Sequence, residues 1–141
     1  MSIFDILSAL KTRFEEYFSD SSNFSNEFQY EIIENYDVFA DYNFTNSRKV
    51  IILLQIDGVD YNSFDTSPAI FRTNYRISII FRINSKTKAG RYSIIGEIID
   101  SMPDILYEPD GLFIKSCKIN ISNELADFTE LSCDIEAGVN F

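Results

Sequence analysis

The sequence predicts an α+β fold in which an antiparallel β-sheet carries two α-helices on one face. Three observations indicate it: a helical apolar pattern at the start of the chain, a second one past its middle, and strand-like segments after each. Neither a linker nor an internal repeat divides the sequence. The 141 residues are therefore predicted to form a single domain, residues 1–141.

The first part of the chain predicts one clear helix and one ambiguous stretch. Apolar residues recur at helical spacing and predict a helix from Ile3 to Phe18, followed by a loop rich in Ser and Asn. Between Phe28 and Tyr42 the spacing fits both a strand and a helix, and we predict a weak strand from Tyr36 to Ala40. The aromatic residues of this stretch are expected to pack against the first helix, although an exposed aromatic patch is the alternative.

Two long strands are predicted in the middle of the chain. Lys49 to Ile56 is a continuous apolar run that ends at the turn signal Asp57-Gly58, which is typical of a buried central strand. Val59 to Ala69 is either the tip of an extended hairpin or a long loop. Phe71 to Ile83 alternates between apolar and polar residues, which predicts a long strand with a basic outer face.

The last part predicts a helix and a hairpin. After a turn at residues 85–90, apolar residues between Ile94 and Met102 mark one helix face, and Pro103 is expected to end this second helix. Two strands, Gly111 to Ser122 and Phe128 to Ala137, are predicted to flank a turn.

The predicted final hairpin brings the two cysteines of the chain together. A turn centred on residue 125 would place Cys117 directly opposite Cys133. Two cysteines are too few for a disulfide scaffold and their spacing fits no zinc pattern, so we expect a cross-strand pair of reduced thiols.

The composition disfavours enzyme chemistry. The chain has no histidine and no tryptophan, and its five glycines are scattered, so the usual general base and the phosphate-binding glycine loop are both missing. A pI near 4.3 opposes binding to nucleic acid. We therefore expect that the protein is not an enzyme and that it has no catalytic residue, no cofactor and no metal site.

Charge is divided unevenly along the chain. Residues 1–65 carry four basic and twelve acidic residues, residues 66–95 six basic and none acidic, and residues 96–141 two basic and ten acidic. Oppositely charged patches on one subunit allow copies to dock side by side. The alternative is that the basic residues form an ordinary solvent-exposed strand face. The predicted subunit interface joins Arg72, Arg76 and Arg82 to a neighbour's acids, either Glu31, Glu34 and Asp37 or Glu130, Asp134 and Glu136.

The order of elements, the length, the acidic balance and the lack of a catalytic site resemble the tail terminator, or tail completion, proteins of tailed bacteriophages and phage-like particles. The resemblance covers the chain from the Ile3 to Phe18 helix through the final hairpin and rests on this pattern. It implies a structural virion protein that forms a six-membered ring on the tail tube, stops tube polymerisation and provides the surface that meets the head.

The resemblance also implies partners and a location. The partners are other copies of the chain in a hexamer, the tail tube protein and the head–tail connector protein; DNA is only passing cargo in the lumen, and no membrane is involved. The location is the virion tail, assembled in the host cytoplasm. As our own hypothesis, the loop from Asp57 to Ala69, with Asp60 and Asp65, touches the tube. The turn from Lys86 to Arg91, with Lys88, touches a neighbour or the head side.

Two other readings stay open. Other head–tail connector or baseplate components fit the same features. Small acidic secretion chaperones, which dimerise and hold an unfolded segment of another protein, also have this size, although they usually end in a helix and this chain ends in a strand pattern.

Overall fold

A computed structural model describes residues 3–42, 48–63, 71–107 and 112–139. The strands in these ranges form a five-stranded sheet in the order β1-β2-β3-β5-β4. The elements, in chain order, are α1 (Ile3–Ser19), β1 (Gln29–Ile33), α2 (Tyr36–Ala40), β2 (Lys49–Ser63), β3 (Phe71–Asn84), α3 (Lys88–Leu106), β4 (Leu112–Glu124) and β5 (Phe128–Val139), with a short 3₁₀ turn at Ser21–Asn23.

The α+β class is confirmed, but the sheet is mixed rather than wholly antiparallel. β1 runs parallel to β2, while the β2–β3, β3–β5 and β4–β5 pairs are antiparallel. A parallel pair needs a crossover connection, and here the segment that contains α2 makes it. β1 was missed because only Ile33 of its five residues is buried, which leaves a weak apolar signal.

The inner face of the sheet is covered by α1 and α3, as the two apolar helix patterns predict. The α1 helix ends one residue later than predicted, while α3 begins at Lys88 and continues past Pro103 to Leu106. Alternate strand residues fill this core because successive side chains of a strand point to opposite faces. The main buried contributors are Leu10, Phe14, Ile52, Leu54, Ile79, Phe81, Ile94, Ile98, Leu131 and Ile135.

An aromatic cluster joins the first helix to the start of the sheet. The ring of Phe18 lies 4.9 Å from that of Phe24, 6.0 Å from that of Phe28 and 5.7 Å from that of Tyr30, measured between centroids. The expected packing of these aromatic residues against the first helix is therefore confirmed for Phe28 and Tyr30.

The outer face carries a second, smaller core beneath α2. Ile33, Phe39, Ile51 and Leu53 are buried together on this side. The prediction of a strand from Tyr36 to Ala40 is wrong, because this segment is a one-turn helix. Its start is fixed by Asn35, whose side chain accepts hydrogen bonds from the backbone N–H groups of residues 37 and 38.

The β2–β3 hairpin is longer than the apolar run in the sequence. β2 lies inside the sheet, but the central strand of the five is β3 rather than β2. The two strands stay paired out to Ser63 and Phe71, with a register shift between Ile56 and Gly58. This pairing supports the hairpin alternative for the start of the segment after Val59; Asp65 lies outside the described residues.

The two cysteines are neighbours, but not in the predicted register. Cys117 pairs with Ile135, and Ile119 pairs with Cys133, so the thiols are diagonal rather than opposite. Both cysteines are free, and their Sγ atoms are 3.0 Å apart. The turn lies later than predicted, since the N–H of Leu125 donates to the carbonyl of residue 128.

Candidate functional site

The basic outer face of β3 is not a free surface at Arg82. This side chain is only 9% exposed; it donates to the backbone carbonyl of Phe39 at 2.9 Å and to Glu130 Oε1 at 3.3 Å. Its guanidinium also lies over the rings of Phe39 and Phe128, 4.1 and 4.6 Å from their centroids. Arg82 and Glu130 are therefore each other's partner within one chain, and their role in a subunit interface stays a prediction.

Arg76 is exposed, but it too has an acidic partner in its own chain. Its Nε atom donates to Asp60 Oδ2 at 3.0 Å across the β2–β3 hairpin, and both side chains are 52% exposed. Gly58 lies beneath the guanidinium, where a Cβ atom would come within 2.2 Å of it. On the other side Arg76 is in register with Glu136 of β5.

The strand order also determines the neighbours of the predicted interface residues Arg72 and Asp134. Arg72 is in register with Asn62, and its side chain lies outside the described residues. Asp134 is exposed on β5, where its register partners are Ser78 and Lys118. The basic and acidic segments of the sequence are thus adjacent strands of one sheet, so the charges face each other within the subunit.

The turn before α3 is only partly available for a contact. Arg91 is 5% exposed; it donates to Thr129 Oγ1 and to the backbone carbonyl of Ser85, each at 3.0 Å, so little of its side chain is available for the contact that the sequence predicts. Lys86 is exposed, and Lys88 forms an exposed ion pair with Glu124 at 3.0 Å. The hydrogen bond to that carboxylate raises the pKa of Lys88. Of the acids predicted for the other polar segment, Asp57 is exposed at the register shift and Asp60 pairs with Arg76.

A surface that the sequence did not indicate lies along β4. This thirteen-residue strand is the last in the sheet, and it pairs only with β5 among the described strands. Most of its side chains are exposed. An edge strand of this length presents unpaired backbone N–H and C=O groups to other chains.

An apolar groove of about 240 Å³ separates β4 from α3. Among the described residues that line it, Lys115 is the charged one, and Tyr107 at its end is 77% exposed. The other lining residues are Ile99, Met102, Pro103, Leu106, Ile114, Ser116, Cys117 and Ile119. The start of α3 reaches the end of β4, where Lys88 and the hydroxyl of Tyr92 contact Glu124, and the groove lies between the later part of α3 and the middle of β4.

Arg13 of α1 stabilises one end of this groove. It is 4% exposed and donates to the backbone carbonyls of Leu106 and Leu112, at 2.7 and 2.6 Å. These are the last residue of α3 and the first of β4, so one side chain of α1 holds the two walls together. Charge-assisted hydrogen bonds of this kind are stronger than neutral ones.

The groove contains one accessible thiol. Cys117 is exposed, whereas Cys133 is fully buried. The hydrogen bond between the two thiols lowers the pKa of Cys117, and the same contact together with burial raises the pKa of Cys133. Because the thiolate is the reactive form, Cys117 is the thiol that chemical reagents should modify first.

A different surface lies on the outer face near the opposite edge, where α2 packs over β1 and β2. Two apolar side chains of α2 protrude, with Tyr36 60% exposed and Val38 51% exposed. Acids surround them, since Glu34, Asp37 and Asp41 are all exposed. We call this acidic, apolar surface the α2 knob.

Glu31, one of the acids predicted for the subunit interface, forms an ion pair near the α2 knob. Lys49 lies 3.2 Å from it and also contacts the hydroxyl of Tyr42. The hydrogen bond from Tyr42 and, to a smaller extent, Lys49 lower the pKa of Glu31 despite its partial burial.

No protein family model matches the chain, and no curated protein matches its sequence. In residues 3–42, 48–63, 71–107 and 112–139, His, Cys, Asp and Glu form no group of three that could hold a metal ion. Within the same ranges, no helix combines the length and the apolar character that crossing a membrane requires.

Proposed function

We propose that the protein is a structural, non-enzymatic subunit whose copies join head to tail in a ring. The observation that carries this proposal is that the open sheet exposes two unlike edges. The β4 side has an apolar groove, with Lys115 bound to Asn74 and Lys118 in register with Asp134, while the acidic α2 knob lies on the outer face near β1.

The distance between the two edges favours contacts between copies over contacts within one. Five strands at a spacing of about 4.8 Å separate the edges by roughly 19 Å. A contact between two different surfaces of the same subunit is heterologous, and it produces a ring when the rotation between neighbours closes.

We further propose that this ring caps a phage tail tube, stops its polymerisation and forms the surface that joins the head. The α+β fold and the order of its elements support this reading through the resemblance to tail terminators. The partners are then the tail tube protein and the head–tail connector, in a virion tail assembled in the host cytoplasm. A net charge of −10 would keep DNA from adhering as it passes through the lumen.

The test is the mass of the purified protein by light scattering, with electron microscopy of the same sample. We expect closed rings of several copies, and shorter tubes when the protein is added to polymerising tail tube protein. A monomer at every concentration, or a symmetric dimer, would contradict self-assembly into a ring. Rings without an effect on tube length would favour a connector or baseplate component instead.

The exposed β4 edge also supports the chaperone reading. An extended segment of another protein could add to β4 as a further strand, with its side chains in the groove. A stable dimer that retains an unfolded peptide in the same light-scattering experiment would favour this second function.

A further inference from the structure

We infer that Cys117 and Cys133 form a reversible modification site, which a small-molecule disulfide such as oxidised glutathione converts to a disulfide bond between β4 and β5. Cys117 attacks the reagent, and Cys133 completes the bond. This inference does not depend on the proposed ring, because it concerns two side chains of a single subunit.

The two thiols are already in contact, and they differ in exposure. Their Sγ atoms are 3.0 Å apart, and both cysteines are free. Cys117 is exposed and lines the groove, whereas the exposed fraction of Cys133 is 0%. A reagent dissolved in water therefore reaches Cys117 first, and the thiol that lies next to the product is Cys133.

The first step is thiol–disulfide exchange at Cys117. Its thiolate attacks one sulfur of oxidised glutathione, so a bond forms between Cys117 Sγ and that sulfur while the S–S bond of the reagent breaks. One glutathione thiolate leaves and takes up the proton that Cys117 lost. The hydrogen bond between the two thiols lowers the pKa of Cys117 against the effects of burial and of the Asp134 charge, which supports its role as the attacking thiol.

The second step removes the attached glutathione. Cys133 loses its proton to solvent and attacks Cys117 Sγ, and the second glutathione thiolate leaves and takes up a proton. In sum, two protein thiols are oxidised to a disulfide, and one glutathione disulfide is reduced to two thiols. The hydrogen bond with Cys117 is the main cause of the raised pKa of Cys133, and it is lost once Cys117 carries glutathione. Burial still raises this pKa, so the second step is expected to be the slower one.

The position of the pair in the sheet predicts a labile bond. The cysteines are diagonal neighbours, since Cys117 is in register with Ile135, two residues beyond Cys133. Diagonal Cα atoms lie about 7–8 Å apart and most disulfides span less than about 6.8 Å, so β4 has to move towards β5. β4 can move because it is the outermost of the described strands and has register shifts on both sides of Cys117. A strained, exposed disulfide is easily reduced, which makes the modification reversible.

The test treats the folded wild-type protein with oxidised glutathione, blocks the remaining thiols with iodoacetamide and measures the intact mass. We expect each subunit to lose two hydrogen atoms and to carry neither glutathione nor the blocking group, and excess reduced glutathione to restore both thiols. A stable glutathione adduct, two thiols that stay free, or disulfides between subunits would each overturn the inference.

Cys133→Ser and Cys117→Ser are the matched variants, with circular dichroism to verify that both fold. Cys133→Ser should keep one glutathione on Cys117, because no second thiol displaces it. Cys117→Ser should react more slowly than wild type, by about tenfold or more, because its remaining thiol is buried and reacts only when the sheet opens. Reaction of Cys117→Ser at the wild-type rate would overturn the assigned order, and the wild-type measurement decides the inference even if a variant does not fold.

Discussion

Buried arginines bind backbone carbonyls at three places in this fold. Arg13 holds α3 to β4, Arg82 holds α2 to the sheet, and Arg91 holds the start of α3 to β5. The alternation along β3 predicts correctly that one face is buried, as the exposed fractions of Ile77 and Ile79 show. It could not reveal that α2 covers part of the other face, because that contact joins residues far apart in sequence.

The contrast between Arg82 and Arg76 gives a prediction about stability. Arg82→Ala should lower the free energy of unfolding by about 3 kcal/mol, because it leaves the nearly buried Glu130 without its cation and removes packing over two rings. Arg76→Ala, on the same strand, breaks an exposed ion pair and should cost about 0.5 kcal/mol or less. Urea denaturation of both variants measures the difference, and equal losses would contradict the roles assigned to them.

The elements differ in how strongly the sequence specified them. The two long helices and the interior strands were predictable because each buries a regular apolar face over many residues. β1 and α2 have only five residues each, too few to establish a period. The parallel pairing of β1 with β2 also depends on a crossover that no local pattern encodes.

Glu97 of α3 fastens the loop before β1, and this contact predicts a pH dependence. Its carboxylate accepts hydrogen bonds from the backbone N–H groups of Ser25 and Asn26 and from the Asn26 side chain. Burial raises the pKa of Glu97, but these hydrogen bonds outweigh it and leave the pKa below its ordinary value of 4.5. The ionised form therefore contributes stability above about pH 4.5, and that contribution is lost as the pH falls through the lower, folded-state pKa.

When the pH falls from about 6 to about 3, the free energy of unfolding of Glu97→Gln should consequently decrease by roughly 1 kcal/mol less than that of wild type. Glu15→Gln, at an exposed position of α1, controls for the loss of one negative charge. Chemical denaturation at several pH values measures the effect. A Glu97→Gln variant whose stability follows the same pH curve as wild type would show that the hydrogen bonds contribute nothing.

In the whole molecule, the strand order brings the basic and acidic segments of the sequence next to each other. The sequence places a basic block between two acidic ones, but the sheet places β3 between β2 and β5, whose acids face its arginines. The groove was unpredictable for a related reason, since it forms only when the end of α3 packs beside the middle of β4 in the folded chain. The surfaces left for assembly are therefore the edges of the sheet.

In the proposed assembly two unlike sides of one subunit join neighbouring copies, and mixing two variants shows whether they do. Tyr36→Ser keeps the groove and loses the knob, whereas Cys117→Trp fills the groove from an exposed edge position and keeps the knob. Each variant alone should be monomeric, and the equimolar mixture should give a one-to-one dimer by native mass spectrometry, because one intact contact remains. A mixture that stays monomeric, or rings formed by either variant alone, would contradict the claim.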